Sequence, residues 1–215
     1  MTTDLRGEVV WVAAELEHRG LNHNSAGNVS ARSGPNFLVT PSGIAANALV
    51  PDDIVELDLT GVLVAGSRRP SSEWRLHATL YAARSDVDAI VHTHSVEATA
   101  AACVGAPIPA LHYVVARAGR DTIPCAPYAT YGSAELAANV VATLGADVTA
   151  CLMANHGMVA VARSLDAALA LAHDVEWLAA LYRSSRQLGS PVVLGPDEIA
   201  RVADQLRDYG QPGSQ

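Results

Sequence analysis

The sequence predicts an α/β fold in which a mainly antiparallel sheet is flanked by helices. Short apolar or alternating segments, typical of strands, recur along the chain, and several follow one another with only a turn between them. Longer segments between them carry apolar residues three or four positions apart, which is the spacing of amphipathic helices. Strands that are neighbours in sequence usually pair antiparallel, so we expect few parallel crossovers.

The first part of the chain predicts one helix followed by three strands. Apolar residues at helical spacing favour a helix over residues 5–16, which Gly20 would terminate. The segments 28–32 and 37–40 are short, apolar and separated by a Gly-Pro turn, so they predict a hairpin. Residues 54–59 alternate apolar and acidic side chains, as expected of a strand with one buried face.

The middle of the chain predicts a helix, a strand and a second helix. Residues 73–84 have helical spacing, and the hydroxyls of Ser71 and Ser72 are expected to cap that helix. The apolar run at 89–94 predicts a buried strand, although it ends in two histidines. Small and apolar residues over 96–104, before a glycine, predict the next helix.

The last part predicts three helices and a strand pair. A helix is expected over 133–144, starting at a capping serine. The apolar runs 150–154 and 158–162 predict two strands, interrupted by Asn-His-Gly. Helical spacing continues over 165–188 and again over 196–210. No repeat or long linker divides these elements, so we expect a single domain over 1–215.

The composition excludes several classes of function. The net charge is −8, from 14 cationic and 22 acidic side chains, which argues against nucleic acid or an anionic membrane as a partner. Only three cysteines are present, too few for a disulfide framework, and no apolar run approaches a membrane span. The N-terminus lacks the pattern of a signal peptide. We therefore expect a cytoplasmic protein.

The chain contains no lysine, because every one of its cationic residues is an arginine. Schiff-base chemistry and pyridoxal phosphate attachment both need a lysine amine, and a Walker A phosphate loop needs one as well. Any polarisation of a substrate carbonyl must then come from a metal ion or from hydrogen-bond donors.

Three histidines at predicted strand ends are candidate metal ligands. His92 and His94 are two residues apart, so both side chains point to one face of an extended chain. His156 follows another predicted strand. Three imidazoles with an open position suit zinc and similar divalent ions, although two solvated histidines at a sheet rim would give the same spacing. The other five histidines are expected at the surface, in helix or strand caps, or in contact with the metal ligands without binding the metal themselves.

Glu73 is the candidate acid/base, and small polar loops are candidate anion sites. Glu73 is predicted in the first turn of a helix, where carboxylates are common for purely structural reasons. Its neighbours Ser71 and Ser72 add hydroxyls and amides that can bind an anion. The loops 40–43 and 26–30 offer similar donors, although each loop by itself would be read as a turn.

Taken together, several stretches resemble the class II aldolase/adducin family. They include "GLNHNSAGNVSAR", "LVTPSGI", "RRPSSEWRLHATLY", "DAIVHTHS", "IPALHYVVARAG", "IPCAPYATYGS" and "NHGMVAV", in the family's order and over nearly the whole chain. The resemblance implies a three-layer α/β sandwich around an antiparallel sheet. It also implies a homotetramer with active sites between subunits.

The resemblance assigns roles to individual residues. It implies one divalent metal ion per subunit, usually Zn²⁺ with Mn²⁺ or Co²⁺ as options, held by His92, His94, His156 and, before substrate arrives, Glu73. Glu73 would then act as acid/base, with Tyr113 from a neighbouring subunit and Tyr209 closing over the substrate. The implied substrate-binding residues are Asn28, Ser42, Gly43, Ser71, Ser72 and Tyr131. Tyr131 stands where members that cleave fuculose phosphate carry phenylalanine, so its hydroxyl could alter the aldehyde preference.

The implied reaction is cleavage of a ketose 1-phosphate to dihydroxyacetone phosphate and an aldehyde. The substrate would be L-fuculose 1-phosphate, giving L-lactaldehyde, or a related deoxy-ketose phosphate. A 5-deoxyribulose or 5-methylthioribulose 1-phosphate aldolase or dehydratase stays open. Ribulose-phosphate 4-epimerases tend to carry aspartate at the Glu73 position and an acid at the Tyr113 position. Adducin-like binding modules lack the three histidines, and a carbonic-anhydrase-like hydratase would not need the phosphate loops.

Overall fold

The computed structural model describes residues 4–23 and 26–207, which form six α-helices and ten strands. The helices are α1 Leu5–His18, α2 Trp74–Ala83, α3 Val96–Val104, α4 Ala134–Leu144, α5 Leu165–Leu188 and α6 Pro196–Arg207. The strands are β1 Asn28–Ser33, β2 Asn36–Val39, β3 Val55–Asp58, β4 Leu63–Ala65, β5 Ala89–Thr93, β6 Ile108–Pro109, β7 Thr122–Ile123, β8 Cys125–Ala126, β9 Ala150–Met153 and β10 Gly157–Ala162. Within the described ranges, no helix is both long enough and apolar enough to cross a membrane.

Eight strands form the central sheet in the order β4-β3-β2-β1-β5-β10-β9-β8. Every neighbouring pair in it is antiparallel except β8 and β9, which run parallel. The strands β6 and β7 form a separate two-stranded ribbon. The predicted mainly antiparallel sheet is therefore confirmed, and its central strand β5 is the one that ends in the histidine pair.

Helices cover both faces of this sheet, so the fold has three layers. Alternate residues of a strand point to opposite faces, and the two apolar clusters follow that alternation. On β5, Val91 packs with the cluster that includes α1, α3 and α5, whereas Ile90 packs with the cluster that includes α2 and α4. By the same alternation, His92 faces the α2 side.

The start of α2 differs from the sequence prediction. The helix begins at Trp74, Glu73 is its N-cap residue, and the predicted serine caps are wrong. The Ser71 hydroxyl instead accepts a hydrogen bond from the Glu73 backbone N–H at 3.2 Å. No side-chain capping bond is made at Glu73, so its carboxylate is free to turn toward the sheet. Ser133 caps the start of α4, as predicted. The predicted end of α3 at Gly105 is also confirmed, and Gly105 has a left-handed backbone conformation.

Close backbone packing at Gly27 supports the end of β5. Gly27 has φ of +75°, and a Cβ atom there would lie 2.5 Å from the Asn22 side chain and 2.6 Å from the His92 carbonyl oxygen. The Asn22 Oδ1 atom accepts a hydrogen bond from the His94 backbone N–H at 3.1 Å. Glycine is therefore required both by the backbone conformation and by the space beside the histidine pair.

We expect Gly27→Ala to destabilise the protein more than the matched variant Gly20→Ala. Gly20 has nearly the same φ, +70°, but nothing lies within 4 Å of its added Cβ. Both variants incur the left-handed strain of about 1–2 kcal/mol, and Gly27→Ala should add an overpacking cost of about 1–3 kcal/mol. Urea unfolding of chelator-treated proteins measures the difference. Equal losses of unfolding free energy would contradict the packing argument.

Candidate metal centre and active site

Four side chains from three separate segments converge at one end of the sheet. They are Glu73 before α2, His92 in β5, His94 just after β5, and His156 in the turn between β9 and β10. One ligand atom from each lies within 4.8 Å of the others. Both the histidine pair and the distant histidine thus meet, as the sequence predicted.

The three imidazoles surround a common point. Their ring centroids are 4.8 to 4.9 Å apart, and each pair of rings is nearly perpendicular, with interplanar angles of 71° to 79°. The Nε2 atoms of His92 and His94 are 3.0 Å apart. Two imidazole nitrogens so close together need a proton or a cation between them, and edge-on rings around a centre are the arrangement of a three-histidine metal site.

A backbone carbonyl fixes which nitrogen of His92 faces the centre. The Nδ1 atom of His92 lies 2.8 Å from the Met158 carbonyl oxygen, which can only accept a hydrogen bond. Nδ1 therefore carries a proton, and Nε2 is the nitrogen that faces the other three side chains. Metal-ligating histidines are commonly oriented by such a bond on the opposite nitrogen.

Burial keeps the other two imidazoles neutral. Desolvation, together with the nearby His92, lowers the pKa of His94 to about 4 and the pKa of His156 to about 4. For His92, burial favours the neutral form, but the Glu73 carboxylate outweighs it and raises the pKa. Neutral His94 and His156 at pH 7 offer free lone pairs, which is the form that binds metal.

The Glu73 carboxylate is buried, with 5% of the residue exposed. Its Oε2 atom accepts a hydrogen bond from Asn28 Nδ2 at 3.1 Å and lies 3.0 Å from His92 Nε2. Burial acts to raise its pKa, but His92, His156 and Asn28 outweigh burial and hold the pKa well below its usual range.

The second carboxylate oxygen of Glu73 gives the best test of whether the four side chains fit a metal ion. Glu73 Oε1 is buried without a hydrogen-bond partner among the described residues, and it lies 3.4 Å from His156 Nε2. A buried carboxylate oxygen is rarely left unsatisfied. A divalent cation at the centre of the four side chains would satisfy it, and two buried and two half-buried N/O donors suit zinc or a similar ion.

Two predicted anion-binding loops lie side by side near Glu73. The backbone N–H of Ser42 donates to Arg69 O, and the N–H of Ser71 donates to Thr40 O, both at 3.0 Å. Pro41 and Pro70 form an isolated β-bridge between the same loops. Ser42, Gly43 and Ser72 are exposed, whereas Ser71 is buried.

The loop of Tyr131 joins this group. A Cβ atom on Gly132 would lie 2.7 Å from the Ser72 carbonyl oxygen, so the two backbones are in close contact. The Tyr131 side chain itself is 68% exposed. Asn28, which contacts Glu73, completes the set of predicted substrate residues that the fold brings near one another.

One of the predicted tyrosines, Tyr113, is not placed at this centre within one chain. Tyr113 begins a 3₁₀ helix, is 49% exposed, and stacks on His112 with ring centroids 4.5 Å apart. In the described part of the chain, no hydrogen bond, ion pair or ring contact joins Tyr113 to the four donors. Tyr209 lies outside the described residues.

Sequence reasoning gave too little weight to His77. It is completely buried in α2, where its Nε2 atom lies 2.5 Å from Asn28 Oδ1 and its Nδ1 atom lies 2.6 Å from Ser30 Oγ. The Ser30 hydroxyl is in turn 2.8 Å from the Tyr81 hydroxyl. The spacing of Glu73, His77 and Tyr81 by four residues was a usable signal, because it places all three on one helix face.

A family model, related sequences and a solved structure all indicate the same family. Residues 7–183 match the family model described as "Class II Aldolase and Adducin N-terminal domain". The chain is 46% identical to the 5-methylthioribulose-1-phosphate/5-deoxyribulose-1-phosphate aldolase of Rhodospirillum rubrum, over 96% of this chain and 92% of that protein. It is 42% identical to the L-fuculose phosphate aldolase of Escherichia coli strain K12, over 96% of this chain and 95% of that protein.

A solved structure described as L-fuculose 1-phosphate aldolase has the same fold. It superposes with a TM-score of 0.91 at 38% identity, covering 96% of this chain and 98% of that one. The resemblance read from the sequence motifs is therefore confirmed: the chain belongs to the class II aldolase and adducin family.

Proposed function

We propose that this protein is a metal-dependent aldolase, a lyase that cleaves a ketose 1-phosphate to dihydroxyacetone phosphate and an aldehyde. The observation that supports this best is the buried Glu73 carboxylate among three convergent imidazoles, with one oxygen still unsatisfied. Both named relatives are aldolases of sugar 1-phosphates or related phosphates. A binding module would not need these buried donors.

The donors would hold one divalent metal ion per chain, and we favour Zn²⁺, with Mn²⁺ and Co²⁺ as alternatives. His92, His94 and His156 would be its permanent ligands, and Glu73 would complete the set before substrate binds. A bound metal ion supplies the Lewis acid that polarises a ketose carbonyl. The alternative, a Schiff base with lysine, is not open to this chain because it contains no lysine.

The two paired loops would bind the substrate phosphate. Ser42, Ser71 and Ser72 offer hydroxyls, and Gly43 and Ser72 offer backbone N–H groups, whereas the N–H groups of Ser42 and Ser71 already bind the opposite loop. Asn28 Nδ2 has a second hydrogen beyond the one given to Glu73. Neutral donors of this kind hold a phosphate without lysine. Because the loops adjoin Glu73, a phosphate held there would bring the ketose carbons to the centre.

Glu73 would move the proton at the carbon that loses the aldehyde. When the carbon–carbon bond breaks, its electron pair stays on the dihydroxyacetone phosphate fragment, and the hydroxyl that becomes the aldehyde carbonyl loses its proton, which Tyr113 would carry away. Glu73, after taking up a proton, would then protonate the carbon and complete the cleavage. In the synthetic direction, the Glu73 carboxylate would remove the same proton. Its ionised state, held by His92, His156 and Asn28, is the form a base requires.

The aldehyde half of the substrate is less constrained than the phosphate half. L-fuculose 1-phosphate and the 5-deoxy- or 5-methylthio-ribulose 1-phosphates share the dihydroxyacetone phosphate portion and differ in the aldehyde. Tyr131, exposed beside the serine loop, is the residue we propose to contact that variable end. The Rhodospirillum relative favours including the methylthio substrate as a second candidate.

The complete active site is proposed to form in a homotetramer. Tyr113 is half exposed and separate from the four donors of its own chain. This position supports the proposal that Tyr113 contributes to the active site of a neighbouring subunit. Tyr209 is proposed to close over the aldehyde end. The three cysteines are free thiols, which suits the reducing cytoplasm.

The purified protein should release dihydroxyacetone phosphate from at least one ketose 1-phosphate. A panel of L-fuculose, 5-deoxyribulose and 5-methylthioribulose 1-phosphates, coupled to dihydroxyacetone phosphate detection, measures this directly. Chelation should abolish the release, and added Zn²⁺, Co²⁺ or Mn²⁺ should restore it, because the four donors need a cation.

His94→Ala should lose both the bound metal and the activity, measured by elemental analysis and the same assay. His173→Ala, which changes an exposed histidine of α5, is the matched control and should keep one metal per chain. A metal-free His94→Ala protein with full activity would overturn the proposed centre.

Glu73→Gln should retain the fold and metal but lose about 10²–10⁴-fold in rate. The amide keeps the shape of the carboxylate and cannot take a proton. The decisive measurement is isotope exchange of the dihydroxyacetone phosphate C–H proton with solvent. Glu135→Gln, at the exposed start of α4, controls for the charge change. Normal exchange in Glu73→Gln would exclude Glu73 as the base.

Two inactive variants should rescue each other if Tyr113 acts across a subunit boundary. Mixed oligomers of Glu73→Gln and Tyr113→Phe chains contain some sites with both native residues, so activity should partly return after co-refolding or subunit exchange. Each variant alone, treated in the same way, gives the baseline. No recovery in mixtures that demonstrably form hybrids would refute the shared site.

A further inference from the structure

A buried hydrogen-bond chain leads from the Glu73 carboxylate into the contact between β1 and α2. It runs from the Tyr81 hydroxyl to Ser30 Oγ, to His77, to the Asn28 side chain and then to Glu73 Oε2, with heavy-atom distances of 2.8, 2.6, 2.5 and 3.1 Å. All five side chains are at most 6% exposed. The two strand residues come from β1 and the others from the face of α2 that covers it.

The carboxylate fixes the direction of every bond in this chain. Ionised Glu73 can only accept, so Asn28 Nδ2 must donate to it, and Asn28 Oδ1 must accept from His77. His77 Nε2 then carries the proton, which leaves Nδ1 as an acceptor for the Ser30 hydroxyl. Ser30 Oγ, having donated, accepts from Tyr81. One self-consistent arrangement therefore satisfies all the polar groups.

His77 can serve in this chain because it is neutral. Desolvation by complete burial, assisted by repulsion from His92, lowers the pKa of His77 to about 3. A neutral imidazole has one donor and one acceptor nitrogen, which matches its two neighbours. An imidazolium would instead donate from both nitrogens and compete with the Ser30 hydroxyl.

We infer that His77 is a positioning residue, whose Nε2–H locks the Asn28 amide so that its NH₂ group faces Glu73. Without that donor, Asn28 Oδ1 would lose its hydrogen bond, and among the described partners only the Glu73 carboxylate would still favour this orientation of the amide over its flip. A flipped Asn28 would place Oδ1 against the carboxylate, and both are acceptors. The locked amide instead keeps the Glu73 carboxylate aimed at the metal centre.

The chain also links Glu73 to the proposed phosphate pocket, a step that rests on the proposed function. One hydrogen of Asn28 Nδ2 is given to Glu73, and the second remains for a substrate oxygen. His77 would thereby set the amide for both roles. Apolar packing alone does not require this arrangement, because Leu76, Ala78 and Leu80 of α2 are buried without any polar group, whereas each polar group buried beside them must find a partner.

The first test reads the His77 tautomer directly in the protein. Long-range ¹⁵N–¹H spectra of ¹⁵N-histidine-labelled, metal-loaded protein distinguish a protonated Nε2 from a protonated Nδ1. We expect His77, assigned as the signal absent from His77→Phe or His77→Gln, to be neutral with the proton on Nε2 from pH 6 to 8. A proton on Nδ1, or a charged ring in that range, would overturn the inference.

The second test separates positioning from packing. His77→Phe keeps the ring volume and removes the donor, so the turnover number for cleavage and the rate of dihydroxyacetone phosphate proton exchange should both fall about 10–100-fold. His77→Gln can still donate to Asn28 Oδ1 and should recover much of that loss. His173→Phe, at an exposed position, should be unchanged.

The outcomes distinguish this inference from the proposed function. If the parent protein cleaves none of the ketose phosphates, the proposed function fails, and the tautomer measurement still decides the role of His77. If the parent is active, His77→Phe with parental rates overturns the inference. Equal losses in His77→Phe and His77→Gln would also overturn it, because they would indicate packing. If neither variant folds, selective isotope labelling of His77 gives the tautomer in the parent.

Discussion

The burial of the Glu73 carboxylate is the constraint on which the whole site depends. A charge removed from water costs several kcal/mol unless partners replace the lost hydration. Here the partners are imidazoles on one side and the Asn28 amide on the other, while one oxygen stays unsatisfied. The arrangement therefore suits a bound cation. Removing any one partner would leave the buried carboxylate with less compensation for its lost hydration.

Sheet register supplies those partners at fixed positions. Asn28 of β1 and Val159 of β10 both pair directly with His92 of β5, in the middle of the eight-stranded sheet. Alternation along β1 then points Asn28 and Ser30 to the same face as His92, where α2 covers them. A shift of one residue between β1 and β5 would turn these side chains to the opposite layer, so strand pairing and ligand geometry are specified together.

Much of this arrangement could be predicted from the sequence, because it rests on local patterns. The periodicities located all six helices and the longer strands, and the spacing of His92 and His94 placed both on one face. The segments β4 and β6–β8 are too short for any periodicity to show. The start of α2 was misjudged because two serines matched the capping pattern better than Glu73 did. The buried role of His77 depends on which strand lies under α2, and spacing alone does not specify that.

The backbone pairing between the loops at Pro41 and Pro70 gives the proposed substrate pocket two unequal parts. One part is cross-linked through main-chain atoms, whose geometry survives most side-chain replacements. The other part includes Tyr131, which is largely exposed and lies in a loop whose Gly132 backbone is close to the Ser72 carbonyl oxygen. Inherited variation can therefore accumulate at the second part while the first is preserved. If the loops bind the phosphate and Tyr131 contacts the aldehyde, as proposed, a lineage with this fold can change the aldehydes it accepts without changing how it binds the common half of the substrate.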